Sequence, residues 1–382
     1  MPEQGGLLLW MISILVISCC IFSSKFFRFI DANNDNRRKN LDGLRFFLSV
    51  FVVFHHYGLS YFYFEGKGWI LGNLNDYPLN LRLGSAAVML FFILSGYLFY
   101  GMKPERWDLF YFKRALRIVP IFVVSSLCCI AIAGYARRHN LDFTDFRYSI
   151  LFWFDGGVTG EKPGVLGMAD ATLINASVTW TLFWEWALYF SLPLVVLLRD
   201  KTTPLTSALI CLFLSVYVVY GINPTYGVFL ACFSCGFLAR AYVPAYRMSK
   251  FHYDLSAAIC IVLAFLFYNT PYSLYSLPVL TLLFIFIVNG ADLFGLLSHR
   301  AIVRLGEISY SIYLLHGIGW FCMNYALKGV GLNMDVKTYM AFSSIGFIAI
   351  LLISAVTYKY IEKPFIQLSI RSTKKALSRS PV

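Results

Sequence analysis

Apolar runs close to twenty residues long, broken by short polar stretches, fill most of the chain. Eleven spans are predicted, at 6–23, 44–64, 84–101, 118–136, 178–198, 205–221, 226–242, 254–269, 272–289, 307–327 and 339–358. Each is long enough, or nearly so, to cross a hydrocarbon core of about 30 Å as a helix. A membrane β-barrel would instead show alternating segments of about ten residues. The expected fold is all-α, a polytopic transmembrane helical bundle. Little more than Asn269, Thr270 and Pro271 separates the spans 254–269 and 272–289, so a re-entrant hairpin is the alternative there. Residues 1–40 read as an N-terminal helix with a cytoplasmic linker, 41–366 as the main membrane domain, and 367–382 as a disordered cytoplasmic tail.

The leader Met1-Pro2-Glu3-Gln4 lacks the positive charge with which a signal peptide begins. The first span is therefore expected to be retained, with the N-terminus outside. Placing the loop after it in the cytoplasm makes every cytoplasmic segment basic. Of the 32 lysines and arginines, only Lys67, Arg82, Arg137, Arg138, Arg147, Lys162, Lys328 and Lys337 then fall outside. The positive-inside rule supports the orientation and the span count together, with a cytoplasmic C-terminus. The longest outer segment, about 137–177, holds Trp153, Asp155, Glu161 and Asp170 and is either an acceptor-docking loop or a plain connection.

Composition sharpens the picture without changing it. The 382 residues are 59% hydrophobic and 14% charged, whereas a soluble domain is nearer half apolar and about a quarter charged. The net charge of +12 does not point to nucleic acid, because the basic residues cluster at span ends, beside membrane lipids. The nine cysteines lie in or at the ends of apolar runs and imply no disulfide framework. Cys232 and Cys235 form a CxxC with no second ligand pair and read as packing residues.

Ionisable side chains inside a bilayer are costly, so those that persist mark candidate chemistry. Leu41 to His56 reads LDGLRFFLSVFVVFHH. Arg45 and His56 are eleven residues apart, roughly three turns, so they lie within about 20° on one face and ~16 Å apart along the axis. That puts Arg45 at the rim and His56 about halfway across. Imidazole is suited to taking a proton from a hydroxyl at neutral pH; the alternative is a histidine bonded between helices. Asp42 and Arg45, at i,i+3, are placed to pair at the helix entrance, or Asp42 simply caps it. In FKRALRIVP, Arg114 and Arg117 share a face at the cytoplasmic rim, suited to phosphates or to positive-inside anchoring. In TWTLFWEWALYF, Glu185 lies about a turn and a half inside the outer face. In LGEISYSIYLLH, Ser309, Tyr313 and His316 share a face, and His316 reaches the depth of His56. In FFILSGYL, Ser95-Gly96 reads as a close helix contact first and a cavity wall second.

Taken together these segments resemble the integral-membrane acyltransferase-three family over most of the chain, from Leu41 to Phe365. LDGLR with a histidine eleven residues after its arginine is similar to the family's opening motif and selects His56 over His55. The serine-glycine, arginine-pair and tryptophan-glutamate-tyrosine segments follow in order. LGEISYSIYLLH and Tyr360-Ile361-Glu362-Lys363-Pro364-Phe365 resemble the closing motifs.

The resemblance implies O-acyl transfer in a bacterial inner membrane. A cytoplasmic acyl-CoA, usually acetyl-CoA, would give its acyl group to a hydroxyl of a surface or lipid-linked glycan outside, such as an O-antigen, with no metal. It implies His56 as central catalytic residue, as base or acyl carrier, with Arg45, Asp42 and Glu185 in support and Glu185 on the acceptor side. Arg114, Arg117, Arg45, Ser95, Tyr310 and His316 would handle the donor. Two departures are expected: a helix before the usual ten, and no esterase-like domain after Phe365, so that transfer is direct or relies on a partner. The rival readings are a proton-coupled secondary transporter and a non-enzymatic glycan-assembly scaffold. The first lacks visible inverted repeats, and the second has no need of arginines placed for phosphate.

Overall fold

The computed structural model describes residues 4–31, 38–104, 106–242, 248–267, 270–329 and 334–377. The leader residues 1–3, Asn269, and three of the basic residues counted as cytoplasmic, Arg37, Arg247 and Arg379, lie outside the described residues. The helices are α1 (Gln4–Ser23), α2 (Lys39–Phe64), α3 (Pro78–Tyr100), α4 (Trp107–Ala136), α5 (Phe146–Trp153), α6 (Trp180–Lys201) and α7 (Pro204–Gly221). They continue with α8 (Pro224–Ala241), α9 (Lys250–Leu266), α10 (Leu277–Asn289), α11 (Arg300–Glu307), α12 (Ser309–Gly329), α13 (Val336–Thr357) and α14 (Lys363–Leu377). Among the described residues no strand forms, and the protein is an all-α polytopic membrane protein.

Each of the eleven predicted spans falls on a helix, and among the described residues seven helices are long and apolar enough to cross a membrane. At thirteen residues, α10 is about 20 Å long, short of the hydrocarbon core. Local signals set the helix starts. Proline occupies the first turn of α3, α7, α8 and α10, where its missing N–H costs nothing. Thr203, Asn223, Ser249 and Asp335 accept from the backbone N–H three residues on, the usual N-cap bond.

Two predicted boundaries change. The span expected over 307–327 is broken at Ile308 into α11 and α12. The tail expected to be disordered from residue 367 is helical through Leu377, with Ser369 and Thr373 buried and α14 packed on α4. Its polar composition masks the one face that packs.

Glycines bring the central helices into backbone contact. A Cβ on Gly96 of α3 would sit 2.2 Å from the Phe233 carbonyl oxygen, and one on Gly236 of α8 would sit 2.1 Å from that of Ile93. Ser95-Gly96 therefore marks the helix contact that the sequence suggests. Likewise, a Cβ on Gly43 of α2 would sit 1.9 Å from the Leu297 oxygen, and one on Gly306 of α11 would sit 1.9 Å from the Asp42 oxygen. The glycines of LDGLR and LGEIS thus lock α2 onto α11. Above this contact, Trp320 Nε1 donates to the Val53 carbonyl at 3.3 Å and Asn324 Nδ2 to that of Ser60 at 2.9 Å, fixing the register of α12 on α2.

The N-terminal helix is tied in by a buried arginine. Arg304, 1% exposed, donates from Nε to Asp31 Oδ1 at 2.6 Å and from Nη1 to the carbonyls of Phe22 and Ser24 at 2.6 and 2.8 Å. Counting Arg304 only as a topology signal missed this role.

Candidate active site

The long segment between α4 and α6 dips into the bundle. Asp155 accepts from Gly157 N, Thr159 N and Lys162 Nζ, folding 155–162 into a compact turn. Burial alone would raise its carboxyl pKa, but the bonds from Lys162 and Thr159 outweigh this and hold it below the usual range. Trp153 is buried, donating to the Pro163 carbonyl at 3.0 Å, so it is structural and not an outward-facing docking residue. Further on, the 3₁₀ turn Ala171–Asn175 and left-handed Ala176 and Ser177 carry the chain deep inside. A Cβ on Gly317 of α12 would lie 2.2 Å from the Asn175 carbonyl carbon. Gly317 follows His316, so this segment reaches the level of the histidines.

His56 Nδ1 and His316 Nε2 are 2.9 Å apart, and the two rings stack at 5.0 Å. His316 is fully buried, and its Nδ1 is 3.2 Å from the Ile312 carbonyl. A carbonyl only accepts, so Nδ1 of His316 carries a proton and its Nε2 is left with a lone pair. His56 Nδ1–H then donates to that lone pair, and Nε2 of His56 is left bare as an acceptor. Trp69 lies near-parallel to His56, with ring centroids 5.9 Å apart. By contrast, His55 Nδ1 is 3.0 Å from the Asn80 carbonyl, and its ring fills the space a Cβ on Gly84 would need. Both histidines line the same large cavity, but only His56 contacts His316.

His56 opens onto a cavity of 1160 Å³ whose walls include Trp69, Glu161, Trp180, Trp184, Tyr226 and Tyr272. A second cavity of 380 Å³ is lined by Arg45, Ser95, Arg114, Arg117, Glu185, Tyr189, Ser309 and Tyr310. Val88 and Tyr313 line both, so the two spaces abut there. The Tyr313 hydroxyl is 2.9 Å from Thr181 Oγ1, holding the ring at this partition.

In the second cavity the arginines are individually braced. Arg45 Nη1 donates to Asp42 Oδ1 at 3.2 Å, so the expected i,i+3 pair forms. Asp42 does not cap α2; that position belongs to Arg38. Arg117 pairs with buried Glu362 at 3.2 Å and lies over Tyr310 at 5.7 Å. Arg114 lies over Phe99 at 5.1 Å and keeps its buried Nε without a hydrogen-bond partner among the described residues.

Two expected site residues are placed differently by the structure. Glu185, expected toward the outer face, lies in the arginine-lined cavity and accepts from the Tyr189 hydroxyl. Thr181, Glu185 and Tyr189, at i,i+4 spacing, form the face of α6 that lines this cavity. His316, expected with the donor-binding residues, lies behind His56 and lines neither cavity. Ser95 and Tyr310 face the arginine-lined space, as the cavity-wall reading of Ser95 allows. Sequence reasoning gave no role to Tyr189, although it stands one turn after Glu185. Among the described residues no group of three or more His, Cys, Asp or Glu side chains suits a metal ion.

A family profile described as an acyltransferase domain matches residues 38–359. The chain belongs to the acyltransferase-three family. The match runs from the start of α2 to the turn after α13, so it contains both cavities, while α1 and α14 lie outside it. No curated protein and no solved structure matches the chain. As a member of this family the protein is a membrane acyltransferase.

Proposed function

We propose that the protein transfers an acetyl group from cytoplasmic acetyl-CoA to a hydroxyl of a carbohydrate on the opposite side of the membrane. The observation that carries this reading is the contact of His56 with His316, set at the edge of a large cavity that adjoins an arginine-lined one. The donor enters from the arginine side, where Arg45, Arg114 and Arg117 meet its charge, and its thioester reaches Val88 and Tyr313. The acceptor occupies the histidine side, where indole and phenol rings suit the apolar faces of sugars and 1160 Å³ is ample for a glycan segment. Placed in a bacterial inner membrane with the N-terminus outside, the arginine-lined space faces the cytoplasm.

In the direct route His56 Nε2 takes the proton from the acceptor hydroxyl as the oxygen attacks the thioester carbonyl. The tetrahedral intermediate collapses, the C–S bond breaks, and the thiolate leaves with the proton from the imidazolium. His316 Nε2 accepts from His56 Nδ1–H throughout and stabilises the charge that forms, the role a carboxylate plays in a serine-protease triad. In the covalent alternative Nε2 attacks the thioester itself and an acyl-histidine passes the group on. No step needs an esterase-like domain.

The test is release of free CoA from acetyl-CoA by purified protein, with a surface glycan supplied and its acetyl esters followed by mass spectrometry. Transfer that needs His56 supports the reading. Substrate movement across the membrane with no CoA released would favour a carrier instead.

A further inference from the structure

Beyond the arginine-lined space the cavities continue. A third, of 270 Å³, is lined by Arg38, Asp42, Arg45, Tyr97 and Arg240 among others, and it shares Arg45 and Leu98 with the second. A fourth, of 430 Å³, shares Arg38 with the third and adds Lys250, Tyr253 and Asn289. Each cavity shares lining residues with the next, so the four follow one another from His56 to the end of the bundle where α2 begins.

The third cavity holds an unusual arrangement of charge. Arg38 Nη1 donates to the Tyr97 hydroxyl at 2.7 Å, and Arg240 Nη1 donates to the same oxygen at 3.5 Å. Both guanidinium carbons also lie over the Tyr97 ring, at 5.8 and 5.4 Å. Three helices, α2, α3 and α8, bring these groups together. A Cβ on Gly101, just past α3, would lie 2.6 Å from Arg240 Nε, so this glycine lets the guanidinium lie across the helix end. Arginines that merely anchor a helix to headgroups spread outward, whereas these two converge on one hydroxyl, with Arg38 Nη1 also donating to the Val288 carbonyl at 3.2 Å. Arg45 and Lys250 nearby have carboxylate partners in Asp42 and Asp292. Among the described residues Arg38 and Arg240 have none within ion-pair distance. Two cations drawn to one phenol repel each other, and an anion between them removes the repulsion while supplying forked acceptors.

Position narrows the anion. Arg38 precedes His56 by eighteen residues on α2, about 27 Å at 1.5 Å per residue. A ligand with phosphates at Arg38 and its reacting carbon near His56 must be long and linear, with its charge at one end.

We propose that Arg38, Arg240 and Tyr97 seat the phosphate-bearing nucleotide end of the thioester donor, whose flexible arm runs past Arg45, Arg114 and Arg117 to Tyr313. This rests on the acyl-CoA reading above. An anionic lipid headgroup offers the same chemistry, and the experiment separates the two sources.

The test is equilibrium binding of radiolabelled CoA to the detergent-purified full chain. Competitors are adenosine 3′,5′-bisphosphate, which lacks the arm, and short-chain phosphatidylglycerol. The wild type is expected to bind CoA, with the nucleotide competing and the lipid not. Arg38→Gln and Arg240→Gln should each weaken CoA binding about tenfold or more, the loss of one charge-assisted bond pair. Arg240→Lys should fall between, since it keeps the charge and loses the fork. Lys25→Gln, an exposed basic residue away from the cavities, should bind as wild type. Monodisperse elution checks that each variant is folded, and Tyr97→Phe gives a milder second probe. Glutamine variants that bind CoA as tightly as wild type overturn the proposal. So does loss of lipid binding with CoA binding intact. A wild type that binds no CoA at all overturns the donor reading itself, a result distinct from failure of this subsite.

Discussion

His56 Nδ1 lies 2.9 Å from His316 Nε2, and the backbone bond on the far nitrogen of His316 decides which of the two rings donates. The chain thus presents one imidazole nitrogen to a large cavity with its lone pair free. General-base catalysis of this kind contributes about 10²–10⁴-fold. His316→Asn should therefore lower turnover by about one to two orders of magnitude, leave the donor KM near wild type and alter the pH profile of kcat. A purely structural role for His316 would lower expression or stability and leave that profile unmoved in the surviving enzyme.

A trapping experiment separates the two chemical routes. Direct transfer leaves no label on wild-type protein incubated with labelled acetyl-CoA and no acceptor. Label retained after denaturation, and absent from His56→Ala, would establish the acyl-histidine instead.

Arg117 is held by Glu362 at 3.2 Å, just beyond the family match. Glu362→Gln removes the carboxylate that pairs with the Arg117 cation over Tyr310. Breaking a buried pair costs on the order of 3 kcal/mol, so a lower Tm and a raised donor KM are expected together. A raised KM without a change in Tm would mean that Glu362 meets the donor directly.

The bonds from Arg304 and Arg300 hold the Asp31 carboxyl down at about 2 despite some burial. A carboxylate pKa depressed on folding contributes stability above its unfolded value near 4. That contribution is lost as the pH falls from about 4 through about 2. Asp31→Asn should lower Tm at pH 7, because Arg304 is then buried without its partner, and the gap from wild type should narrow toward pH 3. An unchanged Tm at pH 7 would show that the bonds from Arg304 to Phe22 and Ser24 suffice to hold α1.

Gly96 and Gly236 face each other's helix backbones at distances no Cβ tolerates. Gly236→Ala should force α3 and α8 apart at a cost of about 1–3 kcal/mol, read as reduced thermal stability in detergent. Cys235→Ala beside it, in a buried thiol with room to lose volume, should cost less.

Much of this was legible in the chain because membrane helices advertise themselves. Each of the eleven apolar runs fell on a helix, and the eleven-residue interval put Arg45 and His56 on one face. Their depths along α2 and that of His316 along α12 were reckoned from helix starts at the same surface, and the two rings do meet. Which cavity Glu185 joins was not legible, because only the packing of α6 turns the face of Thr181, Glu185 and Tyr189 to the arginines. A loop that folds back into the bundle leaves no mark in hydropathy. The pairing of Arg304 with Asp31 was hidden for a related reason: near a membrane surface, basic residues that report topology and basic residues that hold the fold together look alike in sequence. Nor could spacing reveal that Arg38 and Arg240, some two hundred residues apart, converge on Tyr97.

The central claim is a handover between two adjoining cavities at one histidine. Proteoliposomes with the arginine-lined face outward, glycan acceptor sealed inside and labelled acetyl-CoA added outside test it most directly. The account predicts labelled acetyl esters on the enclosed glycan with wild-type protein and none with His56→Ala of equal abundance. Esters formed at the wild-type rate by His56→Ala would contradict it.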